Sequence, residues 1–192
     1  MIRSVRSNNP NFKTVEFRPG FNVILADRNT QNEAERKHTR NGAGKSTLIE
    51  IIHFCLGAQV TKKSVFKNEH MNGWSFTLTL DICGKIFSIE RDTSCPNKMY
   101  LDGDLSMLSF DYKYDKTSHR KYVSPTAFNR EMLEVFYGLE TTDSNAHYIP
   151  TFRELISYTI RKNVDGYRNP FEFFSRQKAC SVQACNAYFL NP

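Results

Sequence analysis

Asn41-Gly42-Ala43-Gly44-Lys45-Ser46-Thr47 is the stretch that decides how this chain is read. Small residues at 42–44 let consecutive backbone N–H groups turn toward one point without Cβ obstruction, which makes an anion nest. From Ser46 the apolar positions Leu48, Ile51, Ile52, Cys55 and Leu56 recur at helical spacing, and Gly57 stands where a C-terminal cap is expected. A helix that starts at the nest adds the positive end of its dipole to the same spot. Together these features imply a cradle for the phosphates of ATP with Mg²⁺. Asn41, Gly42, Ala43 and Gly44 line it. Lys45 reaches the β- and γ-phosphates as the catalytic cation, Ser46 ligates Mg²⁺, and Thr47 supports the α-phosphate.

Upstream of the cradle, three short strands are expected: Ile2 to Arg6, Phe12 to Phe17, and Phe21 to Ala26 after the turn at Pro19-Gly20. The run Asn22-Val23-Ile24-Leu25-Ala26 reads as a strand buried on both faces. Residues 27–40 are almost without apolar side chains and read as an exposed loop, about a dozen residues more than a compact connection needs. The strict pattern G-x-x-x-x-G-K-[ST] would place its first glycine at position 39, where this chain has Thr39. The approach to the cradle is therefore rebuilt relative to the strict motif.

Downstream, Trp74, Phe76, Leu78, Leu80 and Ile82 alternate with polar residues, as in a half-buried strand. Gly84-Lys85 turns it into a partner at Ile86 to Arg91, and Asp102-Gly103 signals a further tight hairpin. Residues 109–123 are polar and read as a link. Ser124-Pro125 starts a helix whose inward face would be Phe128, Met132, Val135, Phe136 and Leu139. Thr151 with Glu154 forms a capping box before a second helix striped by Phe152, Leu155, Ile156 and Ile160. The tail from Pro170 is aromatic and expected to be partly helical. The expected organisation is one lobe over 1–192: a β-rich core with the phosphate-loop helix (1–108), the polar link (109–123) and a helical part (124–192).

Composition narrows the classes. Hydrophobic residues at 40% and charged ones at 24% fit a folded domain with a core rather than a disordered chain. The longest strongly apolar stretch, Leu48 to Leu56, is too short to span a bilayer, and no signal-like segment follows Met1, so no membrane partner and a cytoplasmic location are expected. Five scattered cysteines suggest neither a disulfide framework nor a zinc site. A net charge of +6 permits DNA contact without requiring it. Arg36-Lys37-His38, Lys62-Lys63 and His119-Arg120-Lys121 are the candidate runs, with solvated loop charge as the plain alternative.

Phe12-Lys13-Thr14, Pro19-Gly20-Phe21-Asn22-Val23-Ile24 and the stretch 41–48 resemble the N-terminal lobe of SMC-type ATPases, including the RecF and RecN relatives. More narrowly, 39–46 with Leu48-Ile49-Glu50-Ile51-Ile52-His53-Phe54, Ile149-Pro150-Thr151-Phe152-Arg153 and Pro170-Phe171-Glu172-Phe173-Phe174 resemble a bacterial branch of coiled-coil ATPases found in ABC-three-component-like operons linked to defence against foreign DNA. In that branch Thr39 and the long insert are normal. The resemblance implies an α/β P-loop NTPase head of the ABC/SMC type, N-terminal lobe, with an antiparallel β subdomain and a C-terminal helical segment. It also implies a glutamine that contacts Mg²⁺ and the attacking water. Gln177 is the candidate, Gln183 the second, and a solvated tail glutamine the alternative. The rest of such an ATPase is a coiled coil and a C-terminal lobe, supplied by the same protein or a second subunit, with head-to-head dimerisation. The C-terminal lobe carries the acidic strand end and the catalytic glutamate. Leu78-Thr79-Leu80-Asp81 and Val23-Ile24-Leu25-Ala26-Asp27 only imitate the acidic strand end.

Two other readings stay open. A small-molecule kinase could use the same loop, with Arg153, Arg161, Arg168 and Arg176 as lid residues, although Arg153 and Arg161 also suit the polar face of a helix. A non-catalytic module could bind DNA through its basic runs while nucleotide stabilises the fold. His53, beside the first helix's apolar stripe, reads as a packed residue rather than a ligand. Arg91 matches an arginine common in SMC-type heads.

Overall fold

A computed structural model describes residues 1–25, 45–140, 148–162 and 164–190. Its frame is a five-stranded sheet: β1 (Ile2–Ser7), β2 (Val15–Glu16), β3 (Ser75–Ile82), β4 (Lys85–Asp92) and β5 (Met99–Gly103). The strand order is β2-β1-β3-β4-β5, and every neighbouring pair is antiparallel. The alternation legible in the sequence sets the register. Phe76, Leu78 and Leu80 on β3 and Phe87 and Ile89 on β4 are all buried, because inward side chains recur every second residue.

Against β3 and β4 lies α1 (Lys45–Cys55). Its buried side is Leu48, Ile51, Ile52, Phe54 and Cys55, so the expected stripe holds and Phe54 joins it. Phe54 stacks on Phe66 with ring centroids 4.3 Å apart. The helix ends at Gly57 (φ +77°): Ala58 N–H donates to the His53 carbonyl and Gly57 N–H to that of Phe54. These are the two bonds of a Schellman cap.

Two helices then cover the core: α2 (Pro125–Tyr137), capped by the Ser124 hydroxyl on Ala127 N–H, and α3 (Phe152–Thr159), opened by the Thr151–Glu154 capping box. Both starts fall where the sequence places them. After a short α4 (Asp165–Arg168), α5 (Ala179–Leu190) packs on α3.

Several expectations need correction. Residues 21–25 form no strand, and Phe21 and Leu25 are 94% and 84% exposed. A strand buried on both faces needs paired neighbours and covering layers, and among the described residues nothing pairs with this run. The Phe12 to Phe17 strand shrinks to β2, although Phe12 still packs edge-on against Phe76. Asp102-Gly103 is the paired end of β5 and not a hairpin tip: Asp102 sits opposite Ser88 and Gly103 opposite Phe87. The glycine is needed for closeness, since a Cβ there would lie 2.6 Å from the Ile86 carbonyl oxygen. The polar segment 109–123 holds a hairpin, β6 (Lys113–Asp115) with β7 (Arg120–Tyr122). Asp115 anchors it, accepting from Tyr100 Oη at 2.6 Å and Lys98 Nζ at 2.9 Å. On α2, Leu133 is buried while Phe136 is 36% exposed, so the inward face is rotated from the expected one.

Candidate functional site

The site is built around the start of α1. Residues 41–44 lie outside the described residues, and of Lys45 only the backbone is described. Ser46 is exposed in the helix's first turn and Thr47 is half-buried. No acidic residue occupies that turn, so the positive end of the dipole is not neutralised from within the helix. An exposed hydroxyl at this position, next to a lysine and behind a Gly-Ala-Gly run, is a donor set that fits a Mg²⁺-bound triphosphate.

What holds that helix end in place sits at its other end. Arg91 is 1% exposed. Its Nη1 donates to the carbonyls of Phe54 and Ala58, its Nε donates to Pro96 at 2.7 Å, and its guanidinium stacks over the Phe54 ring. A cation against the last carbonyls of a helix satisfies orphan acceptors and complements the negative dipole end. From the helical side, Arg153 Nη1 donates to the Leu56 carbonyl at 2.9 Å and Nη2 to His53 Nδ1. His53 Nε2 in turn donates to the Ile160 carbonyl at 2.8 Å. Since a carbonyl only accepts and a guanidinium only donates, His53 is the neutral Nε2–H tautomer. Lys162 adds an ion pair to Glu50 at 3.3 Å. α1 is thus gripped at its C-terminal end from both the sheet and α3.

At neutral pH His53 and Cys55 are uncharged, while the two arginines keep their charge. Burial, helped by the Arg153 and Lys162 charges, lowers His53 to about 4. Burial lowers both Arg91 and Arg153 to about 10, and each remains a cation at neutral pH. Burial pushes the Cys55 thiol up to about 12, which makes it inert as a nucleophile.

Gln177 is held in the tail. Its Oε1 accepts from Phe173 N–H at 3.2 Å, and its Nε2 donates to Tyr158 Oη at 3.1 Å and Ser181 Oγ at 3.0 Å. The same network reaches Glu154, which accepts from Ser181 and from Tyr148 Oη. These partners lie on α3 and the tail, not on α1. Gln183 is exposed on α5. Asp81 is engaged by Arg3 and Gly84 at the end of β3, in keeping with its reading as a hairpin residue; Asp27 lies outside the described residues. Among the described residues no group of three or more His, Cys, Asp or Glu side chains is placed to hold a metal.

Arg153 and Arg161 correct the reading of them as polar dressing. Arg161 donates to the carbonyls of Tyr158, Gly166, Asn169 and Pro170 and so braces the loop after α3. The role of Arg91 had a signal in the sequence: on β4 it falls in phase with the inward residues Phe87 and Ile89, so its side chain had to enter the core. Arg153 had no comparable signal, because its partners are about a hundred residues away. Of the basic runs, Lys62, Lys63 and residues 119–121 are exposed, with Arg120 paired to Glu90 at 3.0 Å, while 36–38 lie outside the described residues.

A family model described as an AAA domain matches residues 2–177, nearly the whole chain. No curated protein and no solved structure matches it. No described helix is long and apolar enough to cross a membrane.

Proposed function

This chain belongs to the AAA-domain family, and we propose that it is the ATP-binding N-terminal lobe of an SMC-like ATPase, completed by a C-terminal lobe from the same protein or a second subunit. ATP-binding, ATPase-like function goes with the family. The finer reading rests on one observation above others: α1 begins at Lys45 with Ser46 exposed, and the buried Arg91 and the half-buried Arg153 lock its far end. A helix so fixed presents its N-terminus without reorganisation, which is what electrostatic preorganisation requires.

In this reading the backbone N–H groups of 42–44 hold the phosphates, Lys45 neutralises the β- and γ-oxygens, and the Ser46 hydroxyl holds Mg²⁺. The metal, when bound, supplies charge neutralisation at the phosphate oxygens. The exposed apolar run Phe21, Val23, Ile24 and Leu25 leads into this loop and is the edge on which a missing lobe would close. Gln177 acts at the Mg²⁺ in this family of mechanisms only if it leaves Tyr158 and Ser181. In this reading the acidic strand end and the catalytic glutamate come from the C-terminal lobe, so hydrolysis by this chain alone is negligible. The output concerns DNA, in repair or in defence against foreign DNA, through head engagement. Arg153 is engaged by the Leu56 carbonyl and His53, and Arg161 by four carbonyls, which speaks against their use as a kinase lid.

Calorimetric titration with Mg²⁺-ATP tests the proposal. Binding by the wild-type chain should weaken at least about tenfold, ~1.4 kcal/mol, in Lys45→Ala. Robust turnover by the isolated chain, or ATP affinity unchanged by that substitution, would overturn it. The DNA-related output is read separately, as salt-dependent binding of duplex DNA that changes with ATP.

A further inference from the structure

The hairpin of β6 and β7 has two unlike faces. Cross-strand partners share a face, and Asp115 opposite Arg120 lies on the side turned to β5. There Asp115 accepts from Tyr100 and Lys98, the Arg120 guanidinium lies 4.3 Å from the Tyr100 ring centroid, and Lys98 Nζ lies 5.5 Å from that of Tyr122. Val123, just past β7, exchanges both backbone hydrogen bonds with Met99 of β5. The hairpin is therefore fastened to the main sheet through one face. The next pair, Tyr114 opposite Lys121, points the other way. Tyr114 is 58% exposed, and Lys121, Lys116 and His119 are exposed as well. His119 Nδ1 lies 3.3 Å from Tyr114 Oη and steadies the ring. Among the described residues neither Lys116 nor Lys121 is in an ion pair, while Asp115 and Glu90 are taken by Lys98 and Arg120. An aromatic ring on a fixed strand thus stands in solvent beside two cations that no carboxylate balances.

We propose that this outer face of the hairpin is a contact site for single-stranded DNA, in which a base stacks on Tyr114 and the neighbouring phosphates meet Lys121 and Lys116. Unpaired nucleotides suit both halves of the surface. They offer π-faces to the ring and phosphates to the lysines, and stacking on a ring tolerates any base. A duplex keeps its base faces inside and would use the lysines alone. Anchoring of the hairpin adds to the fit, because a ring already held by strand pairing and by His119 loses little freedom when a base settles on it. The choice of DNA over RNA rests on the DNA-related output proposed above; the surface itself uses no residue of the phosphate loop.

Fluorescence anisotropy of a short labelled oligo-dT on the full chain, at low salt and without ATP, tests this, with blunt duplex DNA and oligo-U of equal length as competitors. Oligo-dT should bind saturably and more tightly than the duplex. Tyr114→Ala should weaken it at least about fivefold, whereas Tyr114→Phe, which keeps the ring, should bind like wild type. Lys121→Ala should make the fall of log affinity with log salt shallower by about 0.7. Both side chains stand outside the anchored face, so each variant should unfold at the wild-type midpoint, which separates lost binding from lost fold. Absence of saturable binding, duplex bound as tightly as oligo-dT, tighter binding of oligo-U, or affinity indifferent to Tyr114→Ala overturns the proposal. ATP-responsive duplex binding that survives Tyr114→Ala leaves the DNA-related output standing and sinks this surface alone.

Discussion

At the scale of single residues, the buried cations and His53 carry most of the consequences. Replacing Arg91 by Met strands the carbonyls of Phe54, Ala58 and Pro96 and should cost about 3 kcal/mol in chemical denaturation, from lost charge-assisted hydrogen bonds to buried acceptors. A loss below about 1 kcal/mol would mean those carbonyls find other partners. His53 gives a pH dependence with a definite sign. Its folded pKa of about 4 lies below the ordinary imidazole value of 6.5, so the unfolded chain binds the extra proton between those pH values. Its contribution is complete above pH 6.5 and is lost as pH falls through 4, on the order of 3 kcal/mol in all. In His53→Gln, the fall in unfolding free energy between pH 7 and 4.5 should be shallower than in wild type. Equal slopes would show that His53 is free to ionise in the folded protein.

For the elements, α1 is the one whose integrity matters to the proposed function, and its cap is the sensitive point. Gly57 holds φ +77°, and a Cβ there would lie 2.4 Å from Asn129 Oδ1. Gly57→Ala should therefore cost about 1–2 kcal/mol by denaturation, more than the usual glycine-to-alanine change at a cap. If the cap positions the phosphate loop, ATP affinity should fall with it. The capping box of α3 is a separate handle: Thr151→Ala should cost about 1 kcal/mol and loosen the Glu154, Ser181 and Gln177 network, measured as faster amide exchange in α5. Helix starts were legible because Ser124, Thr151 and Glu154 act on backbone groups within three residues of themselves. The hairpin of β6 and β7 was not legible, because it depends on Asp115 meeting Tyr100 and Lys98 from another strand.

Over the whole molecule, the run 21–25, exposed and unpaired among the described residues, is the edge on which the proposed C-terminal lobe would close. Phe21→Asp and Leu25→Asp should leave stability within about 0.5 kcal/mol, as exposed substitutions do, while weakening association with a C-terminal lobe in a pull-down or light-scattering titration. A large loss of stability would mean that these side chains already belong to the core. The sequence by itself determined α1, the β3–β4 pair and two helix caps, since each follows from contacts a few residues apart or from a fixed periodicity. Only the tertiary structure decided that the apolar run before the loop stands exposed, that Gln177 is bonded into the tail, and that Arg91 and Arg153 meet at the end of α1. Those outcomes depend on pairing between distant segments, and the local pattern that makes 22–26 look like a buried strand contains no information about whether its neighbours are present.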